Sequence, residues 1–257
     1  MSDNLHPDAW SPRPGTTWAG PAGRAFPLDL SGVRPATPAV TAAVGLEDGL
    51  PVLRIDGRRR DPLFFFGNTE WRGHEAHVFE EIRMAAARGI HLHTLVLHFP
   101  VVPEGTPRDL SPAFAILDRV LEADPEALIL PRIPLYPKDR GAFAARWPDD
   151  CMRYADGTRS IPSVASDRWM AMALAALDEG IGTLADHPVY SRHIIGYHLS
   201  YNNTGEWFYE DYRERGIDRS ECNRQGFARW LREVYGTDRA LRSAWGRPEV
   251  SLDEIAL

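Results

Sequence analysis

The chain has 257 residues, of which 44% are hydrophobic, 25% charged and 10% aromatic, with a net charge of −7. That is room for one large domain, and it matches a complete (β/α)₈ barrel of about 250 residues. Apolar runs such as Leu63–Phe66 and Leu95–Leu97 are too short to span a bilayer, and the acidic balance excludes a general nucleic-acid binder.

Met1–Pro14 is polar and proline-rich and lacks the basic start and apolar stretch of a signal peptide. The two cysteines, Cys151 and Cys222, have neither metal-ligand nor disulfide-framework spacing. Both features predict a cytoplasmic location. Lys138 is the only lysine, so the positive charge is almost all arginine, which suits a GC-rich bacterial genome.

Residues 1–38 are rich in Pro and Gly without periodicity and predict an extended, partly disordered arm. Residues 39–62 predict a β-hairpin: Val40–Val44, a turn over Gly45–Gly49, then Pro51–Ile55, with Asp56-Gly57 as a second turn. Arg58-Arg59-Arg60 reads as an exposed turn between strands. From residue 63 to 257 the pattern becomes strand–helix alternation. Leu63–Asn68 is an apolar run of strand length. His74–Arg88 has helical spacing and Gly89 is a good stop. His91–Phe99 predicts a second strand. Ser111-Pro112 predicts a helix to Ala123, with Ser111 as N-cap and proline at N1. Ala127–Ile133 predicts a third strand and Pro134–Ser166 a long loop. Asp167–Leu184 predicts a helix and His193–Ser200 a fourth strand. A loop over Tyr201–Asp218 leads to helices over Arg219–Tyr235 and Asp238–Trp245.

Strands that are nearly unbroken apolar runs, alternating with helices, indicate a parallel sheet covered by helices. The predicted class is α/β, of TIM-barrel type but incomplete, with about four βα units preceded by the hairpin and the arm. In such folds active sites form in the βα loops at the C-terminal ends of the strands. Those loops hold Asn68, Glu70 and Trp71; His98, Pro100 and Glu104; Arg132, Tyr136, Asp139 and Trp147; and Tyr201-Asn-Asn-Thr-Gly-Glu-Trp-Phe-Tyr209. In the last, Glu206 sits between a small polar run and three aromatics. Partial desolvation there would raise its carboxyl pKa, as a general acid at neutral pH requires, and flat aromatic faces suit sugar rings.

Competing motifs carry less. His91 and His93 share a strand face but open the strand, at the wrong end of the sheet for a metal site, and read as packed or surface histidines. Gly180-Ile-Gly182 lacks the strand-to-helix setting of a dinucleotide site, and Ser163 and Ser166 lack a nucleophile elbow. No metal and no cofactor are expected.

The segment Ile194-Ile-Gly-Tyr-His-Leu-Ser-Tyr-Asn-Asn-Thr-Gly-Glu-Trp207 resembles the fourth-strand region of clan A glycoside hydrolases, closest to glycoside hydrolase family 42, the β-galactosidase-like group. Three other stretches fit in order: Arg54–Gly57 through Phe66, Leu128–Arg132 followed by Trp147-Pro-Asp and Ala155-Asp-Gly157, and His187-Pro188 to Gly196. The likeness covers about residues 50 to 250.

The resemblance implies that Glu206 is the general acid/base. The family's asparagine adjacent to that glutamate is here Gly205, which leaves Asn202 or Asn203 for the sugar 2-hydroxyl. Arg132, Trp147, Trp207 and Glu70 are expected at the sugar site. A retaining glycosidase also needs a nucleophile about 5 to 5.5 Å from the acid/base, in this family a glutamate after strand seven. The fourth strand is the last predicted here, so only the acid/base half of the site is expected in this chain. Its partners would be a carbohydrate and either a missing C-terminal half or a second copy. A reading of another class is a non-catalytic carbohydrate-binding or assembly module, a half-barrel that dimerises over its open edges.

Overall fold

The computed structural model describes residues 40–68, 75–137, 139–201 and 215–253. Three antiparallel strands come first: β1 (Ala42–Glu47), β2 (Leu50–Ile55) and β3 (Arg58–Arg60). The strand β1 runs through Gly45, so the first turn is the two-residue Asp48-Gly49 rather than the five-residue Gly45–Gly49 expected. Both it and Asp56-Gly57 have positive φ at both positions, 52° and 79° in the first, 49° and 75° in the second. That is the turn whose twist matches the flanking strands, and Asp-Gly is a favoured pair for it. The Arg58–Arg60 triplet is likewise exposed strand, not turn.

Parallel strands follow. In β4 (Phe64–Phe66), β5 (Leu92–Thr94) and β6 (Leu128–Ile129) the order is β4-β5-β6. The strand β7 (Arg132–Pro134) pairs with β10 (His198–Ser200). Bridges Val96–Arg132 and Ile129–Ile194 join the two sets into one parallel array. The pieces β6 and β7 are thus the two halves of the predicted third strand. Pro131, which has no N–H to donate, lies at the break.

Helices α1 (Glu75–Ala86), α2 (Ser111–Ala123) and α4 (Asp167–Asp186) cover one face of this array. Leu95, Leu97, Phe99, Ile129 and Ile133 pack there with Val78, Ile82, Leu117, Val120, Trp169 and Ala176 in one buried cluster. Ser111 is the first residue of α2 rather than its N-cap. Its N–H and hydroxyl both donate to Asp109, at 3.0 and 2.6 Å, and Leu110 holds the cap position. The other caps follow the usual chemistry, with Ser166, Ser220 and Thr237 accepting the N–H three residues on.

The expected long loop after β7 has structure of its own. It contains α3 (Arg140–Arg146), capped by Asp139, and an antiparallel hairpin of β8 (Cys151–Arg153) and β9 (Arg159–Pro162). Elements of three to seven residues are too short to show a period, so hydropathy could not announce them. Helices α5 (Glu221–Tyr235) and α6 (Asp238–Trp245) close the described chain around Leu231, Leu241 and Leu252. Among the described residues no helix is long and apolar enough to cross a membrane.

At the opposite end of the strands, Val40 and Ile55 of the N-terminal hairpin pack on Leu92. Phe64, Leu128 and Ile195 lie against the same cluster, so β4, β5, β6 and the segment bridged to β6 ahead of β10 each contribute one residue to it.

Candidate functional site at the strand ends

The C-terminal ends of the parallel strands bring a small set of polar and aromatic groups together. Arg132 opens β7 and is 2% exposed. Its guanidinium carbon lies 3.8 Å from the centre of the Phe66 ring at the end of β4, and it donates to the Gly67 carbonyl. A planar cation stacked on a ring and bonded to a carbonyl keeps its orientation without a ligand. Phe66 itself is 61% exposed, so this cation–aromatic pair faces open space on one side. Nearby in chain order, the His98 and Tyr136 rings meet edge-on at 5.9 Å, and the Arg140 guanidinium lies 4.5 Å over Tyr136. On β10, His198 stands in register with Arg132 and Ser200 with Pro134.

Trp147 belongs to a different setting. Its ring is 5.1 Å from Phe143, and the guanidiniums of Arg146 and Arg168 lie 4.6 and 5.1 Å from it. It lines a cleft of about 700 Å³ with Glu104, Arg108, Asp167 and Met172, and an adjoining one of about 450 Å³. Arg132 lines neither. Of the expected site residues, the structure therefore locates Arg132 and Trp147 and gives them separate surroundings. Glu206, Asn202, Asn203, Trp207 and Glu70 lie outside the described residues.

Burial shifts several groups away from this rim. The Cys151 thiol is pushed up to about 11, chiefly by burial and then by Asp150, which makes it a poor nucleophile at neutral pH. Burial pushes the Tyr197 hydroxyl up to about 12. At the other end of β5, His93 is fully buried with its Nε2 2.7 Å from Asp124, and His91 Nδ1 lies 3.0 Å from the same carboxylate. The two histidines are packed against an acid at the strand's start, as ordinary structural histidines are. Among the described residues there is no cluster of three metal-binding side chains.

Solved structures share the fold of this chain in part. A β-galactosidase from the psychrophilic Marinomonas ef1 is 20% identical, with a TM-score of 0.50 over 76% of this chain and 29% of that one. One from the Antarctic haloarchaeon Halorubrum lacusprofundi is 18% identical, with a TM-score of 0.51 over 76% and 28%. A catalytic mutant of a GH42 β-galactosidase from G. stearothermophilus is 14% identical, with a TM-score of 0.50 over 76% and 28%. The chain shares its fold with part of each of these structures. The chain spans under a third of the length of these structures. The likeness in fold agrees with the family 42 resemblance read from residues 50 to 250. No protein-family model and no curated protein matches the chain.

The sequence did not single out Phe66 as the partner of Arg132. The signal was there in the Phe64-Phe65-Phe66 run: alternate residues of a strand face opposite ways. The stacking depends on strands one and three both pairing with strand two, which no local pattern reports.

Proposed function

We propose that this chain carries the acid/base part of a glycoside hydrolase active site acting on β-galactoside-like substrates. The observation that supports it most is Arg132, held in orientation at the rim of a β-galactosidase-type fold, one strand from β10. Just beyond β10 the sequence carries Glu206. In this reading Glu206 protonates the glycosidic oxygen as the bond to the leaving group breaks, then takes a proton from the attacking water. Arg132 hydrogen-bonds sugar hydroxyls, and Asn202 or Asn203 holds the 2-hydroxyl. Trp207 and Glu70 line the same sugar. The second carboxylate comes from outside these 257 residues.

Aryl β-galactosides test this. The chain is expected to bind a galactoside, with affinity reduced by Arg132→Ala, and to turn over an aryl substrate feebly or only with a complementing C-terminal polypeptide. Glu206→Gln should then remove that turnover. Robust hydrolysis by the isolated chain that survives Glu206→Gln would overturn the proposal, as would absence of galactoside binding by the folded chain.

A further inference from the structure

The two adjoining clefts at Trp147 differ in what lines them. The larger, of about 700 Å³, has three arginines in its wall, Arg108, Arg146 and Arg168, and the small side chains of Ala171 and Ala175 on α4. The smaller, of about 450 Å³, is walled by Pro100, Val101, Ala142 and Phe143. Pro103, Arg146, Trp147 and Met172 line both, so a charged space and an apolar one meet at this indole. Their sizes lie in the range of pockets that hold small organic ligands.

The three arginines are committed to different degrees. Arg108, whose side chain is 10% exposed, donates its Nε to the Pro100 carbonyl at 3.2 Å and its Nη1 to Glu179 at 2.7 Å. Arg168 donates its Nε to Asp150 at 3.1 Å. Neither Glu179 nor Asp150 lines the larger cleft, so these acids fix two guanidiniums without filling it. Arg146 has no carboxylate partner among the described residues. Its guanidinium lies on the Trp147 ring, as that of Arg168 does. Stacking engages the face of a guanidinium and leaves its N–H edges for another acceptor. Two acids line the same cleft: Asp167 pairs with Arg229 at 3.4 Å, and Glu104 is exposed. The balance of charge at this wall is positive.

We infer that the joined clefts bind an organic carboxylate with a flat apolar body, its head among Arg108, Arg146 and Arg168 and its ring beside Trp147 and Phe143. Arg146 is the residue that selects the charge. The other two arginines already have a carboxylate each, and the ligand supplies the one that Arg146 lacks. A carboxylate meets a guanidinium edge with two parallel hydrogen bonds, and the stack on Trp147 holds that edge in one plane beforehand. The apolar body displaces water from the neighbouring cleft and so strengthens the charge pair beside it. The inference uses none of the residues named in the galactoside reading.

The test uses the full ¹⁵N-labelled chain with two probes, naphthalene-2-carboxylate and its neutral counterpart naphthalene-2-carboxamide. The Trp147 indole N–H signal is assigned by its loss in Trp147→Phe. The carboxylate is expected to move that signal and to bind roughly tenfold more tightly than the carboxamide, the margin that hydrogen bonds to a charged group provide. Added salt should narrow the margin. Arg146→Gln should remove the preference and leave carboxamide binding unchanged. Ala171→Trp, at an exposed position of α4 that lines the larger cleft, should weaken the carboxylate by filling the space for its head. Arg224→Gln, which removes an exposed pair with Glu221 on α5, should alter neither probe. Equal affinity for the two probes, no carboxylate binding by the folded chain, a Trp147 signal that does not move, or a preference that survives Arg146→Gln would each overturn the inference.

Discussion

His93 illustrates how one buried atom sets a pH dependence. Its Nε2 donates to Asp124, which also accepts the Glu126 N–H at 3.0 Å and faces His91. Its Nδ1 is buried with no hydrogen-bond partner among the described residues, and the ring lies edge-on to Phe65 at 6.0 Å. A second proton would place an unsatisfied N–H in the core. Burial outweighs the pull of Asp124 and holds the His93 pKa below its ordinary value of 6.5. The unfolded chain therefore binds more protons than the folded one below that pH. The stability from a neutral His93 is complete above about pH 6.5 and is lost as pH falls toward its folded pKa. Urea midpoints measured from pH 7.5 to 5 should fall, and His93→Gln should flatten the slope by up to about 1.4 kcal/mol per pH unit. Arg132 gives a second prediction at this scale. Arg132→Ala removes the stack on Phe66 and strands the Gly67 carbonyl, for a loss of about 1–3 kcal/mol in denaturant unfolding. The arginine was legible as the polar end of an apolar strand, but its ring partner was not, because only strand pairing brings Phe66 to it.

Two glycines in α4 show the element scale. Gly180 and Gly182 lie in the same helix, two residues apart. A Cβ on Gly180 would meet the Phe99 ring at 2.4 to 2.6 Å, whereas one on Gly182 would meet nothing within 4 Å. Alanine should therefore act with opposite signs at the two sites. Gly180→Ala is expected to destabilise by about 1–3 kcal/mol through overpacking. Gly182→Ala should stabilise by about 0.5–1 kcal/mol, because helical glycine gives up more chain entropy. Thermal unfolding of the two variants reads both. Trp169→Phe should cost about 1–3 kcal/mol by leaving the buried Leu135 carbonyl unbonded. The long helices were legible by their apolar stripes, and α4 and α5 also start on a serine cap, Ser166 and Ser220. The helix α3 and hairpin β8–β9 were not legible, since short elements leave no period. Their only local marks are the Asp139 cap and the Asp156-Gly157 turn.

At the scale of the molecule, the order of parallel strands follows from the alternation of apolar runs with helical patterns. Solved β-galactosidase structures share the fold over 76% of this chain. The rim was legible in outline for the same reason, because the fold rule points to the strand ends before any residue is named. The separation of Trp147 from Arg132 was not, since it depends on where α3 turns after β7. Among the described pairings, β4 and β10 are each bonded along one side only. Phe66 and Leu199, on these two strands, are 61% and 36% exposed.

The seat of the N-terminal hairpin has a consequence for the order of assembly. Two-residue Asp-Gly turns close quickly, within microseconds, so β1–β3 can form as soon as it is made. Its docking face, however, meets Phe64, Leu92, Leu128 and Ile195, which come together only when the most distant strand has joined. The first described element is thus the last to be seated, and its seating reports that the strands carrying Phe64, Leu92 and Leu128 and the segment at Ile195 are in register. In pulse-labelled refolding, burial of Val40 and Ile55 should lag behind the amides of β5 and coincide with those around Ile195. A hairpin buried before residue 195 becomes protected would contradict this order.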